Sequence, residues 1–93
     1  MLLDATVLAD GSLVATGTTS GPGKHDALVM RVSSAGQLMW TTILPGALDE
    51  EGLGVAPDAT GVLITGRRMN FGGTADRLFA RLDGGGALQW ASC

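Results

Sequence analysis

Asp26-Ala-Leu-Val-Met-Arg-Val-Ser-Ser-Ala-Gly-Gln-Leu-Met-Trp40 returns 50 residues later as Asp76-Arg-Leu-Phe-Ala-Arg-Leu-Asp-Gly-Gly-Gly-Ala-Leu-Gln-Trp90. Five residue types keep their offsets: Asp26/Asp76, Arg31/Arg81, Gly36/Gly86, Leu38/Leu88 and Trp40/Trp90. Within the first copy, Leu28, Met30 and Val32 fall on one face of a strand, and Ala27, Val29 and Arg31 on the other. Ser33-Ser-Ala-Gly36 reads as a hairpin turn, and Gln37 to Leu44 as the strand that returns, ending at Pro45-Gly46.

Upstream, residues 4–9 read as a short strand stopped by the turn pair Asp10-Gly11. Leu13-Val-Ala-Thr-Gly17 is apolar without alternation, the pattern of a strand covered on both sides. Gly17 to Lys24 reads as a loop. The second half repeats this order: strand 52–56, turn Pro57-Asp58-Ala-Thr-Gly61, strand Val62-Leu-Ile-Thr-Gly66, a loop holding Arg67-Arg68 and Phe71-Gly-Gly73, then strands 77–82 and 87–90. Asp58 comes 48 residues after Asp10, Gly66 comes 49 after Gly17, and Asp76 comes 50 after Asp26. Drift of this kind, confined to turns and loops, marks a structural repeat.

Four short strands in a period near ~50 residues predict an all-β chain of β-propeller-type blades. The expected units are residues 1–45 and 46–93, each a four-stranded antiparallel sheet, the second truncated after its last strand. Trp40 and Trp90 are placed to fill the wedge between neighbouring blades. A β-sandwich with internal similarity is the alternative.

The order Gly-x-Leu/Val-x-x-Thr-Gly, a glycine-rich loop, then Asp, an alternating apolar strand with Arg, Gly and Trp, resembles the bacterial β-propeller repeats called SBBP repeats. It is also similar to the delta-60 repeats. The residues that carry the resemblance are Gly61-Val-Leu-Ile-Thr-Gly66, Asn70-Phe-Gly-Gly73, Asp76 to Asp83, Gly86 and Trp90, and it extends from about Leu3 to Trp90. The resemblance implies long secreted or surface-attached proteins whose repeats close into a ring, hence an extracytoplasmic setting. It implies no catalytic residues and no common ligand. Two units stand here where a closed ring needs about four to eight, so the chain reads as part of a larger protein. Its expected partners are further blades of a longer chain, or copies of itself, beside protein or glycan ligands. A stack of two leaves an apolar face at each end, so the isolated chain is expected to self-associate.

Composition agrees with a folded β protein. The chain of 93 residues is 45% hydrophobic and 16% charged, which excludes intrinsic disorder. Its 15 glycines are spread along the chain, as frequent tight turns require. The net charge of −3 argues against nucleic acid as a partner. No apolar run reaches the ~18 residues that span a bilayer. The N-terminal segment lacks the basic start of a signal peptide. Cys93 is the sole cysteine, so no internal disulfide is expected.

Residues with chemical potential are sparse, and each has a structural alternative. Leu48-Asp-Glu-Glu51 groups carboxylates that could ligate a hard cation, against a solvated turn. Gly72-Gly-Thr-Ala-Asp76 echoes a calcium-binding nonapeptide but has Ala75 where glycine belongs and no tandem copies. Asp26 and Asp76 read as side chains that cap a loop-to-strand junction, rather than as a carboxylate ring. Gly17 to His25 fails the phosphate-loop spacing, and His25 stands after Lys24 where Ser or Thr is needed. His25 is the sole histidine and reads as an exposed loop residue. Arg31 and Arg81 are expected to pair with carboxylates or to reach out between blades. Met30 and Met39 read as core fillers, and Met69 as a loop residue. Gly17, Asp26, Arg31, Gly36, Trp40, Gly66, Asp76, Arg81, Gly86 and Trp90 thus form a structural repeat signature. No catalytic, cofactor-binding or metal-binding residues are assigned. The expected function is a non-catalytic structural or interaction module presenting loops. The alternative is part of a propeller-scaffold hydrolase or lyase with its catalytic residues elsewhere.

Overall fold

The computed structural model describes residues 2–21, 24–44, 50–69 and 75–92. Among them run eight strands: β1 Leu2–Val7, β2 Leu13–Gly21, β3 Lys24–Val32, β4 Leu38–Ile43, β5 Glu50–Pro57, β6 Gly61–Met69, β7 Ala75–Asp83 and β8 Leu88–Ser92. They form two four-stranded antiparallel sheets, each a meander in chain order, β1-β2-β3-β4 and β5-β6-β7-β8. The chain is therefore all-β.

The two sheets share their irregularities. Pairing of β1 with β2 shifts between Leu2 and Asp4, and pairing of β5 with β6 shifts between Gly52 and Gly54. A second shift lies between Arg31 and Val32, and again between Arg81 and Leu82. An extra residue in a ladder bends its strand and turns the neighbouring side chains to a new direction. The bulges place Arg31 opposite Trp40 and Arg81 opposite Trp90, on one face of each sheet.

Three expectations are corrected. The stretch from Gly17 to Lys24 is not a loop, because β2 runs to Gly21 and pairs with β3 as far as Gly21↔Lys24. The β-branched Thr18 and Thr19 favour that extension. Arg67 and Arg68 lie in β6 opposite Glu51 and Glu50, where opposite charges face each other across the ladder. The first strands also align differently. The bulges match β5 to β1 at a spacing of 50 residues, so the register narrows in the turn after them and widens again, rather than growing steadily. Expectations for Pro45-Gly46, Asp49, Asn70 to Thr74 and Cys93 lie outside the described residues.

The sheets stack with unlike faces in contact. In the first sheet Val14, Thr16, Ala27 and Val29 are buried. Their repeat equivalents Leu63, Thr65, Arg77 and Phe79 are exposed. In the second sheet Val62, Ile64, Leu78, Ala80 and Leu82 are buried. Their counterparts in the first sheet, Leu13, Ala15, Leu28, Met30 and Val32, lie on the opposite, outward face, where only Ala15 is fully covered. Strand alternation makes the reason plain, since successive side chains point to opposite faces. The odd-numbered face of β3 therefore meets the even-numbered face of β7. The core between them comprises Val14, Ala27, Val29, Leu44, Val62, Ile64, Leu78, Ala80 and Leu82.

Close approach is set by a glycine on β5. A Cβ on Gly52 would collide with the Thr16 hydroxyl and lie 3.3 Å from the Gly17 carbonyl oxygen. Thr16 itself is fully buried and donates to the Leu28 carbonyl at 2.8 Å, so its polar atom is satisfied within the core.

Leu82 is central to the interface, and Leu82→Ala is expected to cost about 2–5 kcal/mol in urea unfolding. A loss below about 1 kcal/mol would show that the two sheets do not share this core.

Candidate functional site

The most heavily bonded side chains gather where the turn of one sheet meets the turns of the other. The β1–β2 turn places Asp10 and Ser12 beneath Arg31 of β3. Arg31 donates from Nε to Ser12 Oγ at 3.0 Å and from Nη2 to Asp10 Oδ2 at 2.8 Å. The Ser12 hydroxyl in turn donates to Asp10 Oδ1 at 2.5 Å, and its backbone N–H reaches the same oxygen at 2.8 Å. The third arm of the guanidinium, Nη1, crosses to the second sheet and donates to the Gly84 carbonyl at 2.7 Å.

Trp40 lies beside Arg31 and makes the same crossing. Its indole N–H donates to the Gly84 carbonyl at 3.0 Å, and the Thr42 hydroxyl donates to the Gly86 carbonyl at 2.6 Å. The β7–β8 turn is shaped for this seat. Gly86 has φ of 88°, a left-handed conformation that suits glycine. A Cβ there would lie 2.6 Å from Trp40 Cδ2, so the indole rests on bare backbone. At the other end of the interface, the Val55 N–H donates to Asp4 Oδ2 at 3.0 Å.

The second repeat builds the same cluster. Arg81 donates from Nε to Asp58 Oδ2 at 2.7 Å and from Nη2 to Thr60 Oγ1 at 2.9 Å. Asp58 and Thr60 thus stand in for Asp10 and Ser12. Between the two clusters lies an open cleft of about 360 Å³ lined by Leu8, Asp10, Arg31, Asp58, Thr60 and Gly84 among others. Its carboxylates are held by guanidinium groups, an arrangement that locks geometry and leaves neither oxygen pair poised as a general base.

Both carboxyls are stabilised in the charged form. For Asp10 the Ser12 hydroxyl contributes most, then the Ser12 backbone N–H, while the charge of Arg31 acts in the same direction. For Asp58 the hydrogen bond from Arg81 leads, then the Ala59 N–H. Each carboxyl titrates below its ordinary value of 3.8.

A second ionic cluster lies outside the sequence-based expectations. Glu50 is buried, at 1% exposure, and Oε2 accepts from Arg68 Nε at 2.9 Å and Nη2 at 2.7 Å. Next to it, Arg67 Nε donates to Glu51 Oε2 at 3.0 Å. Glu50 and Glu51 are therefore neither a solvated turn nor a group gathered for a cation. The signal is present in the sequence, since an acidic pair and a basic pair face each other once β5 and β6 are aligned antiparallel.

The repeat signature separates in space. Arg31, Gly86 and Trp40 meet at the latch, while Arg81, Gly36 and Trp90 hold the equivalent positions on outward surfaces. Gly17 and Gly66 sit mid-sheet, paired with Leu28 and Leu78 respectively. Asp26 and Asp76 occupy the far end of each sheet, opposite Thr19 and Arg68. They stand inside β3 and β7, not at a loop junction, because both hairpins extend beyond them. Met39 is exposed at 49%, not a core filler, because it sits in the bulge of β4. No group of three or more His, Cys, Asp or Glu able to hold a metal ion occurs among the described residues, and no helix among them is long and apolar enough to cross a membrane. No protein-family model matches the chain, and no curated protein matches it.

The ionic groups lend themselves to two measurements. Arg68→Ala leaves Glu50 buried without its cation and is expected to cost about 3 kcal/mol in urea unfolding. The lowered pKa values of Asp10 and Asp58 act with the opposite pH sense to raised ones. Their contribution is complete above about pH 4 and is lost as pH falls through the lower folded values. The stability gap between the parent and Asp10→Asn/Asp58→Asn is therefore expected to narrow between pH 7 and pH 3, read as urea midpoints. A gap that stays constant or widens on acidification would contradict the assignment.

Proposed function

We propose that the chain is a pair of β-propeller-type blades acting as a non-catalytic structural or interaction module. One observation carries this reading: equivalent strands of the two repeats bury opposite faces. Two sheets related by a two-fold axis would bury the same face of each and close the stack. Unlike faces in contact instead leave a stack that further repeats of the same kind can extend at both ends.

The end faces suit that extension. Leu13 and Leu38 are exposed on one, Leu63, Phe79 and Trp90 on the other. The turns and hairpin tips then remain at the rim, where loops can vary without disturbing the stack and can present side chains to a protein or glycan ligand. Two successive blades of a ring would make these contacts. The resemblance of the repeat to SBBP and delta-60 repeats extends the proposal to an extracytoplasmic setting.

The test is a tandem fusion of two copies of the chain through a short linker. Head-to-tail stacking predicts a midpoint of thermal unfolding several degrees above that of the single chain, and one compact particle in small-angle scattering. Two independent bodies that melt at the single-chain temperature would sink the proposal.

A further inference from the structure

From the internal junction we infer that a second copy of this chain docks on the outer face of the second sheet, with its Ser34-Ala35-Gly36 turn seated on Arg81 and Trp90. The inference rests on the head-to-tail reading above and adds the surface, the occupant and the contacts.

The donor side is already assembled. Arg81 is held by Asp58 and Thr60 as Arg31 is held by Asp10 and Ser12. The Nη1 group of Arg31 takes the Gly84 carbonyl, whereas Nη1 of Arg81 has no acceptor among the described residues. Trp90 stands opposite Arg81 as Trp40 stands opposite Arg31, yet it is 48% exposed. Ser92 occupies the place of Thr42 and keeps a hydroxyl there. Phe79 and Leu63, the counterparts of the fully buried Val29 and Val14, are exposed at 43% and 37%.

The acceptor side matches. The β3–β4 turn repeats the hydrogen bonds of the β7–β8 turn: Ser33 N–H to the Gln37 carbonyl and Gly36 N–H to the Ser33 carbonyl, against Asp83 N–H to Ala87 and Gly86 N–H to Asp83. Gly36 has φ of 87°, matching Gly86. Gly86 is buried under the indole, whereas a Cβ on Gly36 would meet nothing within 4 Å. The two side chains that differ also fit the seat. A Cβ at Gly84, where Ser34 would stand, meets its nearest atom at 3.4 Å, and one at Gly85, where Ala35 would stand, at 3.5 Å. Both are ordinary contacts.

The surrounding faces match in part. Large and small residues exchange places across the ladder: Ala15 pairs with Met30 where Ile64 pairs with Ala80, so the outward face of the first sheet fills a similar volume. Three features are not reproduced. Asp4, which accepts from Val55, is replaced by Gly54 in the second sheet. The buried Ala27 is replaced by the exposed Arg77. Gly52, whose bare backbone approaches Thr16, is replaced in the first sheet by Leu2, whose side chain would meet Thr65. The junction between copies is therefore looser and weaker than the internal one.

The test uses two variants of the full chain. Arg81→Ala/Trp90→Ala disables the donor face. Leu13→Lys/Leu38→Lys disables the acceptor face, whose internal counterparts Val62 and Leu88 belong to the core or pack against it. These sites are at least partly exposed in the single chain, so circular dichroism of each variant is expected to match the parent. Should either double variant lose its sheet spectrum, Trp90→Ala and Leu38→Lys singly serve the same purpose. In sedimentation velocity the parent is expected to form larger species as concentration rises. Each variant alone stays monomeric, with association weakened roughly 30-fold or more. An equimolar mixture forms a dimer and nothing larger, because each variant supplies the face the other lacks. A parent that stays monomeric, a variant that associates like the parent, or a mixture that forms no dimer overturns the inference. The tandem fusion separates the two readings. If its stability gain survives Arg81→Ala/Trp90→Ala in its first copy, stacking stands and the latch at this junction does not.

Discussion

The apolar contact between the face of the first sheet that carries Val14 and Val29 and the face of the second that carries Ile64 and Leu82 is the interaction on which the fold depends. A single four-stranded meander has no interior, and neither repeat could bury Val14 and Val29 or Ile64 and Leu82 without the other. Each fully buried aliphatic side chain is worth about 1.5–3 kcal/mol, against about 1 kcal/mol for a typical hydrogen bond. Packing therefore supplies most of the attraction between sheets. The polar contacts are few, and they serve a different purpose.

That purpose is registration. An apolar face slides easily against another, because dispersion and hydrophobic burial carry little directional preference. Arg31, Trp40 and Thr42 all bind carbonyl oxygens of one turn, Gly84 and Gly86, and these directional bonds fix where the second sheet sits. The ion pair with Asp10 has an exposed carboxylate and contributes little to stability as a pair. With Ser12 it holds the guanidinium in one orientation, so that Nη1 points across the interface. Glu50 and Arg68 differ, since the carboxylate there is buried and its partner cannot be removed without stranding a charge.

Under the proposed head-to-tail reading, repetition makes this local device a rule for assembly. A latch that reaches from one repeat to the turn of the next is directional, and a directional contact between like units leaves an unused donor at one end and an unused acceptor at the other. Arg81 and Trp90 are the first, and the turn at Gly36 is the second. The same logic gives the exposed apolar residues their distribution, since they are the internal core repeated on surfaces that lack a neighbour.

The strands, the Asp10-Gly11 and Ser33–Gly36 turns, and the twofold recurrence are legible along the chain. They depend on local properties: alternation, β-branched and apolar content, and glycine where φ must be positive. The β2–β3 hairpin is longer than its sequence suggests because glycine and serine near its tip resemble loop chemistry, and pairing with β3 overrides that preference. Alternation also separates two faces of each strand, but here both faces are apolar, so nothing local says which one is covered. Val14 and Leu63 occupy equivalent positions, and one is buried while the other is not. That difference comes from the neighbouring sheet, as does the meeting of Arg31 with Gly84, 53 residues apart. Contacts between distant residues are set by how the sheets stack, and stacking is a property of the folded chain.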